Sequence, residues 1–266
     1  MSVAWENVAE TIRGIETADG CTLGVAITAP TGERFGHNAE RPFLAASTVK
    51  IAIMVEFYRQ TDAGERRLTD IFELRESDKA PGSGVLLHFR AGAILTLEDL
   101  VYLMMSISDN TATNLLIDLL GMDRISETMR SQGMAASTLG RRMMGRPAQG
   151  SESENWAAPG DYARILAAIL DGTAASARSC AQMTEMLERQ QNDRRIARCL
   201  PKTDRPRWGS KTGTLTGTTN DVGFVFGPGG PTILSIFCAR PSDPHTAEQI
   251  IGEVSRAALR ATGHAI

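Results

Sequence analysis

The chain has 266 residues, 42% hydrophobic and 22% charged, with a net charge of −3. That length buries a large core as one domain or as two closely packed ones. The near-neutral balance excludes a long basic stripe for nucleic acid or an anionic membrane, and pairs such as Arg141-Arg142 and Arg194-Arg195 read as solvated surface.

No run approaches the ~20 apolar residues that span a bilayer. The first eight residues carry an early acid and lack a basic stretch followed by an apolar one, so they do not read as a signal peptide. The expectation is a cytoplasmic protein, or a periplasmic or secreted one if a leader has been removed. Four widely spaced cysteines, Cys21, Cys180, Cys199 and Cys238, form no zinc-like cluster. Cys21 and Cys238 read as buried thiols on strands, able to bridge only if those strands are neighbours.

In chain order, Val3, Val8, Ile12 and Ile15 predict a helix over 3–17, followed by a strand from Cys21 and a second around 33–37 after the Thr31-Gly32 turn. The middle predicts helices over 47–60, 96–106, 111–120, 123–132, 160–171 and 178–191. Strands return at 208–215, 221–226 and 232–239, with Gly227-Pro-Gly-Gly-Pro231 as the last turn, and a helix over 246–260 closes the chain. Strands at both ends predict one sheet built from residues 1–43 and 192–266, with a helical domain inserted over 44–191. A crevice is expected where the two parts meet.

Three short motifs bear on that crevice: Ser47-Thr48-Val49-Lys50, Ser108-Asp109-Asn110 and Lys211-Thr212-Gly213. A Ser with a Lys three places on turns up roughly once by chance in such a chain, whereas all three motifs in order is a coincidence of roughly one in a thousand. Ser47 is predicted at a helix N-terminus, where unpaired N–H groups favour an oxyanion, with Lys50 one turn on along the same face. The alternative is an N-cap serine and a snorkelling lysine. Lys50 can act as a base only if burial or a second cation, for which Lys211 is the candidate, lowers its pKa.

Ser108 can relay a proton to a leaving group and Asn110 can donate to a substrate amide, a role compatible with helix capping by the same tripeptide. Gly213 lets another backbone approach the strand, and the N–H groups of Ser47 and Thr214 are the candidate oxyanion hole. Lys211 and Thr212 suit a substrate carboxylate, with Arg240 as a further candidate. In a purely structural reading, Thr212-Gly213 is a bulge.

The motifs, their order and the helical insert resemble the penicillin-recognising serine hydrolases, most closely the class A β-lactamases. Intervals of 61 residues from Ser47 to Ser108 and 103 from Ser108 to Lys211 are similar to class A spacing, as is the segment Gly217-Thr-Thr-Asn-Asp-Val. The resemblance implies a five-stranded antiparallel sheet with an all-helical domain. It implies Ser47 as acylated nucleophile, Lys50 and Ser108 as proton carriers, and Asn110, Lys211, Thr212, Gly213 and Thr214 as substrate-binding positions. No metal or cofactor is implied; the expected partner is a small molecule, and a monomer is the expected state.

One departure stands out. The class A pattern Glu-x-x-Leu-Asn, whose glutamate activates the deacylating water, is absent from 139–155, and counting from Ser108 puts Met144 at about that place. Glu152 and Glu154 follow in a Ser-rich loop that reads as solvated. The expected function is a serine hydrolase opening a β-lactam or related amide; the alternatives are a D-alanyl peptidase or esterase on the same fold, or a β-lactam-binding sensor without turnover. A Ser-His-Asp triad stays open from sequence, and Gly209-Ser-Lys-Thr-Gly-Thr lacks the upstream glycine of a phosphate loop.

Overall fold

The computed structural model describes residues 3–266. The first helix, α1 (Glu6–Asp19), buries Val8 and Ile12, one turn apart, and ends where Gly20 turns left-handed and its N–H reaches Glu16 O. It leads into β1 (Thr22–Thr28), β2 (Arg34–His37) and the short β3 (Phe43–Leu44). The helical stretch follows as α2 (Lys50–Asp62), a β4 (Ile71–Glu73) and β5 (Ile94–Thr96) pair, α3 (Leu97–Ser106), α4 (Asn110–Leu120) and α5 (Met122–Ser131). After β6 (Trp156–Ala157) come α6 (Pro159–Leu170) and α7 (Ala177–Glu188), then β7 (Trp208–Leu215), β8 (Thr218–Gly227), β9 (Gly230–Ala239) and α8 (Pro244–Ala261).

The sheet has five strands in the order β2-β1-β9-β8-β7, all pairs antiparallel. Both chain ends supply strands, as the pattern predicted, and the Gly/Pro run closes the β8–β9 hairpin with Gly227 opposite Gly230. β1 is buried along most of its length because both sheet faces are covered. On one face α1 and α8 pack through Val8, Ile12, Ile251 and Val254. On the other, Phe224 and Phe237 of the sheet share a core with α2–α7. α2 is the buried centre of that layer, hidden all round from Lys50 to Tyr58 with Glu56 and Gln60 hydrogen-bonded to each other inside it.

Caps account for several helix starts: Thr96 accepts from Asp99 N–H, Asp109 from Ala112 N–H, Ser176 from Ser179 N–H, and Asp243 from His245 and Thr246 N–H. Asp243 with Pro244 at the first turn starts α8 two residues before the predicted 246. The pairs β3–β6 and β4–β5 escaped the sequence reading, since two- and three-residue strands carry no measurable period.

Cys21 and Cys238 are buried, and β1 and β9 are neighbours with Leu23 facing Cys238, yet both thiols are free. Among the described residues no helix is long and apolar enough to cross a membrane, and no cluster of His, Cys, Asp or Glu could hold a metal ion.

Candidate active site

The cleft lies along β7, where the turn before α2 and the turn before α4 meet the sheet edge. Ser47 sits in a 3-10 turn, Ala46–Val49, and α2 begins only at Lys50, so the candidate nucleophile lies just ahead of the helix that the pattern placed it in. Two ties hold that turn: Ala45 N–H donates to Asn155 O at 2.8 Å, and Asn220 Nδ2 donates to Leu44 O at 2.8 Å. The second explains the segment after Lys-Thr-Gly: Asn220 on β8 positions the approach to Ser47. Ala46 at φ 47° and Ser108 at φ 60° are both non-glycine residues in left-handed backbone, and both flank the chemistry.

Gly213 provides the predicted close approach. A Cβ there would lie 3.0 Å from Ala45 O and 3.2 Å from Ser47 N, so β7 runs against the backbone of the nucleophile's turn.

Lys50 is fully buried; its Nζ donates to Ser108 O at 2.8 Å, Ser108 Oγ at 3.0 Å and Asn110 Oδ1 at 3.0 Å. Lys211, also fully buried, donates from Nζ to Ser108 Oγ at 3.1 Å and Thr212 O at 3.0 Å. Burial holds Lys50 well below the usual lysine range, and the Lys211 charge adds to the effect against Asp109. Burial also lowers Lys211, to about 7, with Asp221 opposing and Arg195 assisting. The expected depression of Lys50 is therefore present, with burial as its larger cause, and Lys211 shares it.

Asp109, beyond capping α4, accepts from Val85 and Leu86 N–H at 2.6 and 2.9 Å, pinning the loop that carries Ser83 to the Ser-Asp-Asn turn. Ser83 borders the cleft beside Ser47. The sequence reading missed it; the punctuation Pro81-Gly-Ser-Gly84 was the available signal.

Arg195, read as solvated, is buried at 5% exposure beneath β7. Its guanidinium donates to Thr214 Oγ1 at 2.7 Å, Gly213 O at 3.0 Å and Asn220 O at 2.8 Å, and it pairs with Glu248. Burial prevailed because three acceptors and a carboxylate satisfy it. Its neighbour Arg194 is exposed, as expected. Arg240 is placed elsewhere: its guanidinium donates to Thr22 Oγ1 on β1, which β9 and β8 separate from β7, so it is no partner for a carboxylate at Thr212.

The stretch 139–155 folds back beside Ser47. Glu154 accepts from Arg141 Nε and Nη2, both at 3.1 Å, and from Ala148 and Asn155 N–H. Glu152 accepts both Arg146 Nη atoms at 2.7 Å, which holds its carboxyl down at about 2. Both carboxylates are thus committed inside the loop, and Arg141, read as surface, is its clamp. Met143 and Met144 stand on the wall facing Ser47.

Two spaces flank Ser47: a cavity of about 60 Å³ bordered by Asn110, Met144, Gly145 and Glu154, and an open cleft of about 490 Å³ bordered by Ser108, Thr212 and Arg194. Of the other nucleophile systems, Gly209-Ser-Lys-Thr lies within strand β7, not in a loop. Among the described residues no hydrogen bond joins a histidine to Ser47; His37 faces Glu16, His245 faces Gln249 and His264 faces Thr232.

A family model described as the β-lactamase enzyme family matches residues 7–262. A β-lactamase of Rhodobacter capsulatus is 30% identical over 186 residues, 68% of this chain and 63% of that protein, so the match spans less than two thirds of the relative. Among solved structures, a β-lactamase from Sphaerobacter thermophilus is 56% identical with a TM-score of 0.96, covering 98% of both chains. An ancestral class A β-lactamase, reconstructed for Gram-negative bacteria, is 27% identical with a TM-score of 0.88, over 96% of this chain and 99% of that one. With its sheet, its helical layer and almost its whole length matched, the chain belongs to the β-lactamase enzyme family.

Proposed function

We infer that this chain is a serine hydrolase that opens β-lactams through an acyl-enzyme on Ser47. The observation that carries the reading is the pair of lysine donors on one hydroxyl, Lys50 at 3.0 Å and Lys211 at 3.1 Å from Ser108 Oγ. A hydroxyl has two lone pairs and one proton; with both lone pairs taken, its O–H is left to donate towards the cleft. In the reaction, Lys50 acts as the neutral amine that its burial favours; Ser47 Oγ bonds to the carbonyl carbon and its proton passes to the lone pair of Lys50 Nζ. The C–N bond then breaks, and the nitrogen takes a proton from Ser108, which is recharged from Lys50. The N–H groups of Ser47 and Thr214 receive the oxyanion, for which Gly213 allows the approach. Lys211 and Thr212 take the substrate carboxylate, with Arg195 fixing the Thr214 hydroxyl.

The second half-reaction lacks its usual base. Two methionines stand on the wall of the cavity beside Ser47; Glu154, which borders the same cavity, is tied to Arg141, and Glu152 to Arg146. This supports a slow deacylation, so that the acyl-enzyme accumulates. Intact mass followed after adding a penicillin and a cephalosporin, with substrate loss in parallel and Ser47→Ala as control, tests both halves. A long-lived single adduct with few turnovers is the expected result; Ser47→Ala retaining hydrolysis would sink every version that uses this serine.

A further inference from the structure

The spaces on either side of Ser47 differ about eightfold in volume, about 60 Å³ against about 490 Å³. Pockets that enclose a drug-sized ligand run to about 300–1,000 Å³, so only the second is of that class.

The narrow side is braced shut. Gly82 at φ 102° and Gly145 at φ 68° press together, such that a Cβ on Gly145 would fall 3.0 Å from Gly82 Cα and 3.1 Å from Pro81 O. Asn110 Nδ2 donates to the same Pro81 O at 2.9 Å, and Arg141 Nη2 donates to Arg146 O at 2.6 Å across the loop. Met144, 40% exposed, forms part of the wall. The wide side carries Asn192, Arg194, Arg195 and His245; Pro244 is the apolar residue on its lining, and the one carboxylate there, Glu248, is paired with Arg194 and Arg195.

Resting on the reading above, the direction of the substrate follows from the proton path. The leaving nitrogen must face Ser108, which puts the leaving-group half in the wide cleft. The substrate amide meets Asn110, which turns the acyl substituent towards the narrow side. We propose that the chain selects β-lactams with a small acyl substituent and an extended, polar or anionic leaving-group portion, and that the apposed loops at Gly82 and Gly145, with Met144, set this preference.

The test is the second-order rate of Ser47 adduct formation, read by intact mass, for cephalosporins in a two-by-two set: an acetamido or a bulky aryl-oxyimino acyl group, and a small or a large anionic substituent on the leaving side. The small acyl group should react at least about tenfold faster than the bulky one, the discrimination a misfit of this size supplies. Enlarging the leaving-side substituent should leave the rate equal or higher. Met144→Ala, an exposed position outside the proton path, should raise the rate of the bulky acyl compounds selectively. Equal rates for both acyl groups, or a bulky-acyl preference, overturn the proposal while leaving the acylation reading intact. No adduct with any of the four compounds overturns the acylation reading itself and this one with it.

Discussion

Asn114 holds Met143 by both of its backbone polar groups: its Oδ1 accepts from the Met143 N–H at 2.7 Å, and its Nδ2 donates to the Met143 C=O at 3.0 Å. This fixes the loop where Met143 borders the cavity beside Ser47. The Met143 sulfur is within 3.9 Å of Asn155 Nδ2, a donor given only a weak acceptor.

Met143→Glu should therefore gain function. A carboxylate there would accept from Asn155 Nδ2, border the cavity beside Ser47, and be half-desolvated, which raises its pKa towards the working range of a base. Adduct lifetime after penicillin treatment should shorten by about 10²-fold or more, the usual yield of a positioned general base. Adduct formation should change little, since Lys50 and Ser108 are untouched. An unchanged lifetime in a folded variant would mean that the cavity holds no water in line with the ester.

The residues that meet around the cleft were legible because each motif packs its candidates into three or four neighbours: Ser47 with Lys50, Ser108 with Asn110, Lys211 with Thr212 and Gly213. The groups that hold them in place were not. Arg195 reaches Thr214 and Asn220 across 19 and 25 residues, and a charged pair in sequence carries no sign that one member will be buried. Helices and long strands showed their periods, whereas β3 and β6, which tie the loop beside Ser47, are two residues each. The Glu152 and Glu154 loop read as solvated because its arginine partners lie 6 to 13 residues away with no repeating spacing.

Those two glutamates separate in a second test. Glu152→Gln should leave adduct lifetime unchanged, because its carboxylate is spent on Arg146 and Gln149 at the surface. Glu154→Gln should loosen the loop: its carboxylate, mostly buried, satisfies Arg141 and two backbone N–H groups. A loss of about 1–3 kcal/mol in urea unfolding is expected, as for other buried charge-assisted hydrogen bonds. A longer adduct lifetime in Glu152→Gln would instead make that residue the missing base.

Arg195→Ala removes the buried cation that faces Glu248 and Asp221 and supports Thr214. Leaving two buried carboxyls without it should cost about 3–5 kcal/mol, and acylation should slow as Thr214 loses its anchor. Arg195→Lys keeps the charge but not the fork of donors. It should recover most of the stability, measured by urea unfolding, and little of the acylation rate. Full recovery of both would reduce the role of Arg195 to charge alone.

The two buried lysines give the sharpest pH signature. Lys211 is pulled down to about 7 in the folded chain, against about 10.4 when unfolded. Below pH 7 it is protonated in both states and its burial penalty is complete. Between about 7 and 10.4 the unfolded chain binds more protons than the folded one, so stability rises with pH across that window. Lys50, also lowered by burial, acts in the same direction. Melting temperatures of the wild type should therefore climb from pH 7 to 9 relative to those of Lys50→Met and Lys211→Met variants, whose curves flatten. Acylation should show the opposite alkaline trend, falling as Lys211 loses the charge that meets a substrate carboxylate. Because the two lysine amino groups share Ser108 Oγ, the limbs of that profile belong to the pair. Lys211→Arg, which stays charged, should carry the alkaline limb above pH 9; a limb that stays near 7 in this variant would show that the charge on Lys211 does not set it.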